Sequence, residues 1–572
     1  MQIKKIKSFN SVWQIYKCLT LDHKRKCLYL LIFMLLTAIL EVASLGLVVP
    51  FLSFVTNTDY ISNTPILKDI IDNVYSYSGM KASTFITLLF ICLAIIAMLA
   101  RLLLLKFNAL IVVAIGSNLS LRVLSYVLSQ PYEYHLSTNT SDLIANIKEK
   151  VELTVFAVLL PVFTLISNLI ISIALIFTLI LINWKIALIV SIVFIPLYAI
   201  VISFSKVKLN LNSLSIQHNQ PKTIKLIQEA LGSIRDIILN SNKEAYIKKY
   251  KSPDFENRSA QAKNIVLASS PRFIMECTGM ILIASLTLFY VSNETDLMLV
   301  LPSLGALALG AQRILPSLQQ IYAAWASIVG YGTSADEVIT KLEILQNKID
   351  KNNIFNFKSS IKFHQVFFTY KGVDEPAIKE IDFEINKGDR VAITGKTGSG
   401  KSTIIDLIIG LIKPNSGFIS VDNIKLDDKN ISSWQKNIAL VPQSIFLSDE
   451  SILQNICLGY DNDEIDVKRV NSCIKQVCLE DVINKLPNQY QTKIGERGVR
   501  LSGGQIQRIG IARALYKNKN ILILDEATNA LDEDTEDKII NNIQNMSKDL
   551  TIIIISHRPQ TLNFCNKKIF IN

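Results

Sequence analysis

The sequence predicts an α-helical polytopic membrane domain followed by an α/β domain built around a glycine-rich loop. Half of the 572 residues are hydrophobic and only 19% are charged, with a mean hydropathy of +0.34. Several long charge-free runs occur within the first 340 residues, and short β-rich segments alternate with helical ones after that. This composition excludes a disordered chain, and eight scattered cysteines do not fit a disulfide-rich scaffold.

The charge-free runs predict six transmembrane helices, because about 20 apolar residues are needed for each crossing. The N-terminal segment is rich in lysine, which places the N-terminus in the cytoplasm by the positive-inside rule. Residues 1–349 carry a net charge of +10 and residues 350–572 only +1. This basic excess surrounds apolar runs, so the sequence indicates no nucleic-acid partner. The predicted spans are 28–54, 83–114, 153–182, 186–206, 272–293 and 297–326.

A phosphate-binding loop follows the predicted strand 390–394 and precedes a predicted helix over 403–412. Its pattern G-x-x-x-x-G-K-[ST] lets backbone N–H groups surround phosphates, with Lys401 neutralising the outer phosphates and Ser402 available to ligate Mg²⁺. The residues that we expect to contact nucleotide phosphates here are Gly395, Lys396, Thr397, Gly398, Ser399, Gly400, Lys401, Ser402 and Thr403.

Two carboxylates end a second buried strand, predicted over 521–526. Four consecutive apolar residues suit a central parallel strand, which places Asp525 at its carboxyl end to hold Mg²⁺. Glu526 can then polarise the water that attacks the γ-phosphate. A further strand, 551–555, leads to His557, which we interpret as a γ-phosphate contact rather than a surface histidine.

The segment Leu501-Ser502-Gly503-Gly504-Gln505 resembles the signature sequence of ATP-binding cassette (ABC) transporters. Six spans followed by one ATPase domain resemble a type IV exporter half-transporter along essentially the whole chain. The resemblance implies that Tyr370 stacks on adenine and that Gln443 is the glutamine that senses Mg²⁺. It also implies an ATP-binding role for Ser502, Gly503, Gly504 and Gln505.

The same resemblance implies a homodimer, in which each signature closes over ATP bound to the partner's P-loop, with ATP and Mg²⁺ as cofactors. Segments 131–147 and 226–239 resemble the two cytoplasmic coupling helices. The predicted domains are 1–340 for the membrane domain, 341–357 for a linker and 358–572 for the ATPase domain. The last is shorter at its C-terminus than is usual in the family, and the expected location is the bacterial inner membrane with the ATPase domain in the cytoplasm.

Three arginines within or next to the spans are candidates for substrate contact: Arg101, Arg272 and Arg313. Charges there usually face a cavity, although Arg272 could instead pair with Glu276 and Arg101 could reach an interface. Doubled in a dimer, they would suit a pyrophosphate-bearing lipid. The stretches around Arg272 and Arg313, and an amphipathic segment over 66–74, resemble exporters that flip lipid-linked oligosaccharides. Export of peptides, antibiotics, drugs or other lipids is the alternative.

Overall fold

The computed structural model describes residues 13–17, 19–48, 51, 82–182, 184–292, 297–345, 357–547, 549–556 and 558–571. The chain forms two compact units. The first consists of Met1–Gln130 and His135–Lys348, and the second of Pro131–Tyr134 and Ile349–Asn572. The predicted linker overlaps residues 346–356, and the amphipathic segment 66–74 falls within 52–81; both stretches lie outside the described residues.

The first unit consists of long helices. By length and composition, five helical stretches within the described ranges could cross a membrane: Leu21–Gly46, Thr84–Leu128, Thr140–Leu181, Ile192–Gly232 and Lys243–Leu282. The sixth predicted span, 297–326, lies on a further helix. The long helices are α1 (Leu21–Gly46), α2 (Ala82–Leu128), α3 (Leu160–Ile182), α4 (Trp184–Gly232), α5 (Lys243–Ser269), α6 (Pro271–Ser292) and α7 (Leu297–Leu345).

Several of these helices extend well beyond the apolar runs that predict them. Helix α2 continues to Leu128, and α4 continues to Gly232. In α2 the added turns bury Ile115, Leu119 and Val123 at helical spacing. Between α2 and α3 the chain forms the short helices Tyr132–Ser137, Thr140–Ile144 and Val151–Leu153, with π-helical turns at Ala145–Lys150 and Thr154–Leu159. The second predicted coupling segment ends in the helix Ile234–Leu239.

The second unit contains two sheets. Strands β1 (Ser360–Phe368), β2 (Ile378–Asn386), β4 (Ser416–Val421) and β5 (Ile424–Lys425) form an antiparallel sheet in the order β2-β1-β4-β5. A parallel sheet in the order β6-β7-β8-β3-β9 is formed by β3 (Arg390–Gly395), β6 (Ile438–Val441), β7 (Ile521–Asp525), β8 (Thr551–Ile555) and β9 (Lys567–Ile571).

Helices surround this parallel sheet and connect its strands. They are α8 (Lys401–Ile409), α9 (Ile431–Gln435), α10 (Ile452–Ile456), α11 (Val467–Gln476), α12 (Glu480–Asn484), α13 (Gly503–Tyr516), α14 (Glu533–Gln544) and α15 (Pro559–Phe564). The central strands are buried along nearly their whole length, as expected for strands covered on both faces. Their parallel order brings the carboxyl ends of β3, β6, β7 and β8 to one edge of the sheet.

Candidate nucleotide site

The glycine-rich loop connects β3 to α8 and has the backbone that its glycines permit. Gly398 and Gly400 have φ angles of 86° and 90°, a region that residues with a side chain rarely adopt. Lys401 is 7% exposed, and its Nζ donates to the carbonyl oxygens of Gly395 and Lys396, each at 3.0 Å. The ammonium group therefore lies inside the curve of the loop, where outer phosphates are expected.

Two features of the loop fit a phosphate and a metal ion. The Ser399 Oγ is buried without a hydrogen-bond partner among the described atoms. The Ser402 side chain of α8 lies close enough to the Asp525 carboxylate at the end of β7 to lower the pKa of that carboxyl. A hydroxyl and a carboxylate are oxygen ligands of the kind that Mg²⁺ prefers. The residues present thus fit both groups.

The pKa of Asp525 reflects its position at the end of a buried strand. Burial raises the pKa of this carboxyl above its ordinary value, and the neighbouring Glu526 raises it further. The hydrogen bond from Ser402 and the charge of Lys401 oppose both effects. Because a nearby cation favours the charged form of a carboxyl, a bound divalent ion would lower this pKa.

Glu526 is held by two amide side chains. Its Oε2 accepts hydrogen bonds from the Gln443 Nε2 at 2.8 Å and from the Asn529 Nδ2 at 3.0 Å. Its backbone has a φ of 50°, and its N–H donates to the Ile555 carbonyl oxygen at 3.0 Å. A left-handed backbone outside glycine is uncommon and is found at active sites. The structure therefore brings together Gln443 and Glu526, two residues that the sequence analysis names separately, and adds Asn529.

The signature segment forms the N-terminus of α13. Ser502 and Gln505 form a capping box, in which the Gln505 N–H donates to the Ser502 Oγ at 3.3 Å and the Ser502 N–H donates to the Gln505 Oε1 at 2.9 Å. A Cβ on Gly504 would lie 2.9 Å from the Ala530 carbonyl oxygen. The Ala530 N–H donates to the Gln507 Oε1 at 2.8 Å, so α13 contacts the loop that follows Glu526.

The remaining predicted site residues have mixed outcomes. Tyr370 forms a 3.1 Å hydrogen bond with the Thr403 hydroxyl of α8 and meets the Phe368 ring edge-on at 4.9 Å. Its stacking on adenine stays a prediction.

His557 and the side chain of Arg313 lie outside what the structure describes. Arg101 forms an ion pair with Glu41 of α1, and Arg272 pairs with Glu276 at 2.6 Å, as the i,i+4 spacing suggested.

Asp406 provides a test of the electrostatics of the loop. It lies on α8, where burial and the nearby Asp525 raise the pKa of its carboxyl to about 6. Because the pKa of Asp406 is higher in the folded state than in the unfolded state, its charged form opposes folding. This contribution to the free energy of unfolding is absent below about pH 4, and stability is lost as the pH rises through about 6. At pH 8, Asp406→Asn is expected to raise the free energy of unfolding of the nucleotide-free protein by about 1–2 kcal/mol, a value reduced for partial exposure.

Thermal unfolding of the full chain in detergent between pH 4 and pH 8 measures this effect. The stabilisation by Asp406→Asn should shrink as the pH falls and vanish near pH 4. Asp374→Asn, at an exposed position of the same unit, is the control and should show no such trend. If Asp406→Asn raised the free energy of unfolding equally at every pH, the charge of Asp406 would not be the cause of the destabilisation.

A phosphate-binding loop, a two-carboxylate strand and a signature helix, joined in one chain to apolar helices, define a membrane-bound P-loop ATPase. A family model described as "ABC transporter" matches residues 378–529, and one described as "ABC transporter transmembrane region" matches residues 28–293. The "Multidrug resistance-like ATP-binding protein MdlA" of Buchnera aphidicola subsp. Baizongia pistaciae is 31% identical over 457 residues, 78% of this chain and 77% of that protein. The chain belongs to the ABC transporter family.

Other relatives are named for lipids. The "ATP-dependent lipid A-core flippase" of Pasteurella multocida is 40% identical over 207 residues, but the match covers only 36% of this chain and 35% of that protein. The protein of the same name in Wigglesworthia glossinidia brevipalpis is 27% identical over 532 residues, 90% of this chain and 89% of that protein.

A solved structure, "Structure of a bacterial Atm1-family ABC exporter with ATP bound", matches the fold with a TM-score of 0.74. It is 21% identical, and the match covers 96% of this chain and 93% of that one. The predicted combination of membrane helices with an α/β ABC ATPase domain is therefore confirmed. The chain is a multi-pass inner-membrane protein with an ATP-binding ATPase domain on the cytoplasmic side.

Proposed function

We propose that this chain is an ATP-driven exporter, working as a homodimer, that flips a lipid-linked oligosaccharide across the inner membrane. One observation carries the energy-coupling part of the proposal. Glu526 is held by Gln443 and Asn529 at the sheet edge that also carries the phosphate-binding loop. The apolar helices of the same chain supply a membrane domain on which ATP hydrolysis can act.

The residues of the loop divide the work of binding ATP. Lys401 neutralises the outer phosphates, while the backbone N–H groups of the loop and the N-terminus of α8 surround them. Ser402 and Asp525 would hold Mg²⁺ together with Gln443, which follows the end of β6. The bound ion supplies charge neutralisation at the phosphates. Tyr370 would support the adenine ring.

Hydrolysis requires a group that accepts a proton from the attacking water. Glu526 is suited to this, because the amide groups of Gln443 and Asn529 fix its carboxylate. The two amides cannot accept the proton themselves, which leaves the carboxylate as the acceptor among these three groups. The hydrogen bond from Gln443 links the Glu526 carboxylate to the segment that follows β6. A change at the nucleotide can therefore move this segment through Gln443. His557 is expected to contact the γ-phosphate.

Dimerisation would complete two sites. The N-terminus of α13, with Ser502, Gly503, Gly504 and Gln505, can receive a phosphate group of ATP bound by a second copy. Closure on ATP and opening after hydrolysis would then drive the membrane domains between two states. Segments 131–147 and 226–239, which resemble the coupling helices of the family, are the candidates for this transmission.

The names of the relatives and the partners of the three arginines bear on the substrate class. Relatives named lipid A-core flippase support the flipping of a lipid, whereas the relative named multidrug resistance-like supports the alternative of drug export. Two of the three candidate arginines form ion pairs with acidic side chains, which reduces the positive charge they offer. Arg313 is the candidate that we favour for contact with the pyrophosphate, because it is the only charged residue in the sequence between Asp296 and Asp336.

Reconstituted protein in liposomes tests the substrate. We expect a polyprenyl-pyrophosphate-linked glycan to stimulate ATP hydrolysis and to be flipped. The same assays are run with lipid A-core, a peptide set and a drug panel. Stimulation by lipid A-core alone would replace the glycan with another lipid. Stimulation by the drug panel alone would refute the flippase proposal and leave the exporter.

Arg313→Ala tests the arginine within the same assay. Basal ATP hydrolysis should be unchanged, because the residue belongs to the membrane domain, while flipping of the pyrophosphate lipid should fall about tenfold with the loss of one charge-assisted contact. Gln312→Ala, at the exposed neighbouring position, is the control. Undiminished flipping by Arg313→Ala would remove this residue from the substrate path.

A further inference from the structure

Glu536 is a buried carboxylate in the ATPase domain that the mechanism above does not use. It lies in the first turn of α14 and is 0% exposed. Its Oε1 accepts hydrogen bonds from the Thr528 Oγ1 at 2.8 Å and the Thr561 Oγ1 at 2.5 Å. Its Oε2 forms an ion pair with the Arg558 guanidinium. A fully buried charge with this many partners is built into the fold, since an unpaired one would be costly.

Arg558 makes contacts in two directions. While Nη1 pairs with Glu536, Nη2 donates to the carbonyl oxygens of Asn529 at 2.9 Å and Leu531 at 3.0 Å. The planar guanidinium presents several donors in a rigid arrangement, so a single side chain can hold a carboxylate and two backbone carbonyls at once. The loop over 527–531 is thereby attached to α14 through one arginine. We call Glu536 and Arg558 together the loop clamp.

The 527–531 loop connects the clamp to Glu526. Asn529, whose carbonyl oxygen accepts from Arg558, donates its own side-chain Nδ2 to the Glu526 Oε2. The next residue, Ala530, donates its N–H to Gln507 of α13. A contiguous series of hydrogen bonds thus runs from the buried Glu536, through Arg558 and Asn529, to the carboxylate of Glu526.

We propose that Glu536 and Arg558 are positioning residues for ATP hydrolysis, which hold the 527–531 loop so that Asn529 keeps the Glu526 carboxylate in place. The inference rests on the proposed role of Glu526 as the proton acceptor. A displacement of about 1 Å in a reacting group can cost on the order of a hundredfold in rate. Loss of the clamp should therefore lower kcat and leave the KM for ATP nearly unchanged, because the glycine-rich loop and Lys401 lie on another segment. Glu536→Gln is the cleaner variant, since Arg558 directly follows His557, the predicted γ-phosphate contact.

Steady-state kinetics of the full chain in nanodiscs tests the clamp. Glu536→Gln keeps the shape of the side chain and removes its charge, and Arg558→Lys keeps the charge and removes the fork. Both variants are expected to lower kcat about tenfold to a hundredfold with KM within a factor of two. Asp537→Asn, the exposed neighbour on α14, is the control and should leave both constants unchanged.

A double variant separates positioning from simple structural support. If the clamp acts through Asn529, adding Glu536→Gln to Asn529→Ala should lower kcat no further than Asn529→Ala alone. If the double variant lowers kcat by the product of the two separate factors, the inference is overturned. It is also overturned if all clamp variants lose ATP binding in parallel, which would indicate general destabilisation. Thr561→Val is the second variant if Glu536→Gln fails to fold, because it removes one donor without changing any charge; it should lower kcat by a smaller factor.

The proposed role of Glu526 can fail independently. Full turnover in Glu526→Gln would refute that role and the clamp with it. An inactive Glu526→Gln together with wild-type kcat in Glu536→Gln and Arg558→Lys would refute the clamp alone.

Discussion

Glu526→Gln is expected to abolish steady-state ATP hydrolysis, by at least about a hundredfold, while leaving ATP binding intact. Glutamine has nearly the same shape, so its side-chain oxygen can still accept from Gln443 and Asn529 as the Oε2 of Glu526 does at 2.8 and 3.0 Å. It cannot accept the proton of the attacking water, and general bases typically contribute 10²–10⁴-fold to a rate. The phosphate-binding groups around Lys401 are unaffected by the change.

Phosphate release at saturating Mg·ATP measures the loss, and binding of a fluorescent ATP analogue measures what remains. Glu480→Gln is a matched control, because Glu480 is an exposed glutamate of the same domain. Its turnover should equal that of the wild type. If Glu526→Gln kept more than half of the wild-type turnover, another residue would have to be the proton acceptor. If it lost ATP binding as well, the effect would be structural.

Gly400→Ala is expected to disrupt the phosphate-binding loop, whereas Gly398→Ala should be much milder. Both glycines have φ near 90°, so alanine brings a similar backbone strain of about 1–2 kcal/mol at either position. Only at Gly400 would the new Cβ lie 2.5 Å from a backbone atom, the Ala377 carbonyl oxygen; at Gly398 nothing lies within 4 Å. The carbonyl belongs to the segment before β2 and cannot move as a flexible side chain does.

We therefore expect Gly400→Ala to lower the free energy of unfolding by about 3–5 kcal/mol, and Gly398→Ala by about 1–2 kcal/mol. Thermal unfolding of the nucleotide-free chain compares the two without any contribution from bound phosphate. Binding of ATP should be lost in Gly400→Ala. Equal shifts for the two variants would mean that backbone strain alone decides, and that the contact with Ala377 has no energetic weight.

Much of the α/β domain could be predicted from the sequence because its strands are continuous apolar runs. Strand β8 spans Thr551–Ile555, the predicted range, and β7 ends one residue before the predicted 526. The predicted helix over 403–412 was wrong at both ends, since α8 covers Lys401–Ile409. Gly410, with a φ of 73°, ends the helix. This glycine was the available signal for the true end.

The partners of the site residues could not be predicted in the same way. Gln443 and Glu526 are separated by 83 positions, and only the strand order places their segments side by side. Asn529 and Arg558 follow motif residues but carry no pattern of their own, so their contacts depend on how two loops fold back on β7 and β8. For the membrane helices, the lone acidic residue Glu41 in the first apolar run was a signal for the partner of Arg101.

The ion pair between Glu41 and Arg101 has a consequence for how the protein enters the bilayer during synthesis. Glu41 is almost completely buried, and its partner lies on the next long helix. Either charge alone at the centre of a bilayer costs about 2.5–3.5 kcal/mol on insertion scales. Paired, the two side chains neutralise each other, so neither helix carries this charge into the lipid alone. The first helix is therefore best released into lipid only after the second has emerged from the ribosome, which makes the two a single unit of membrane insertion.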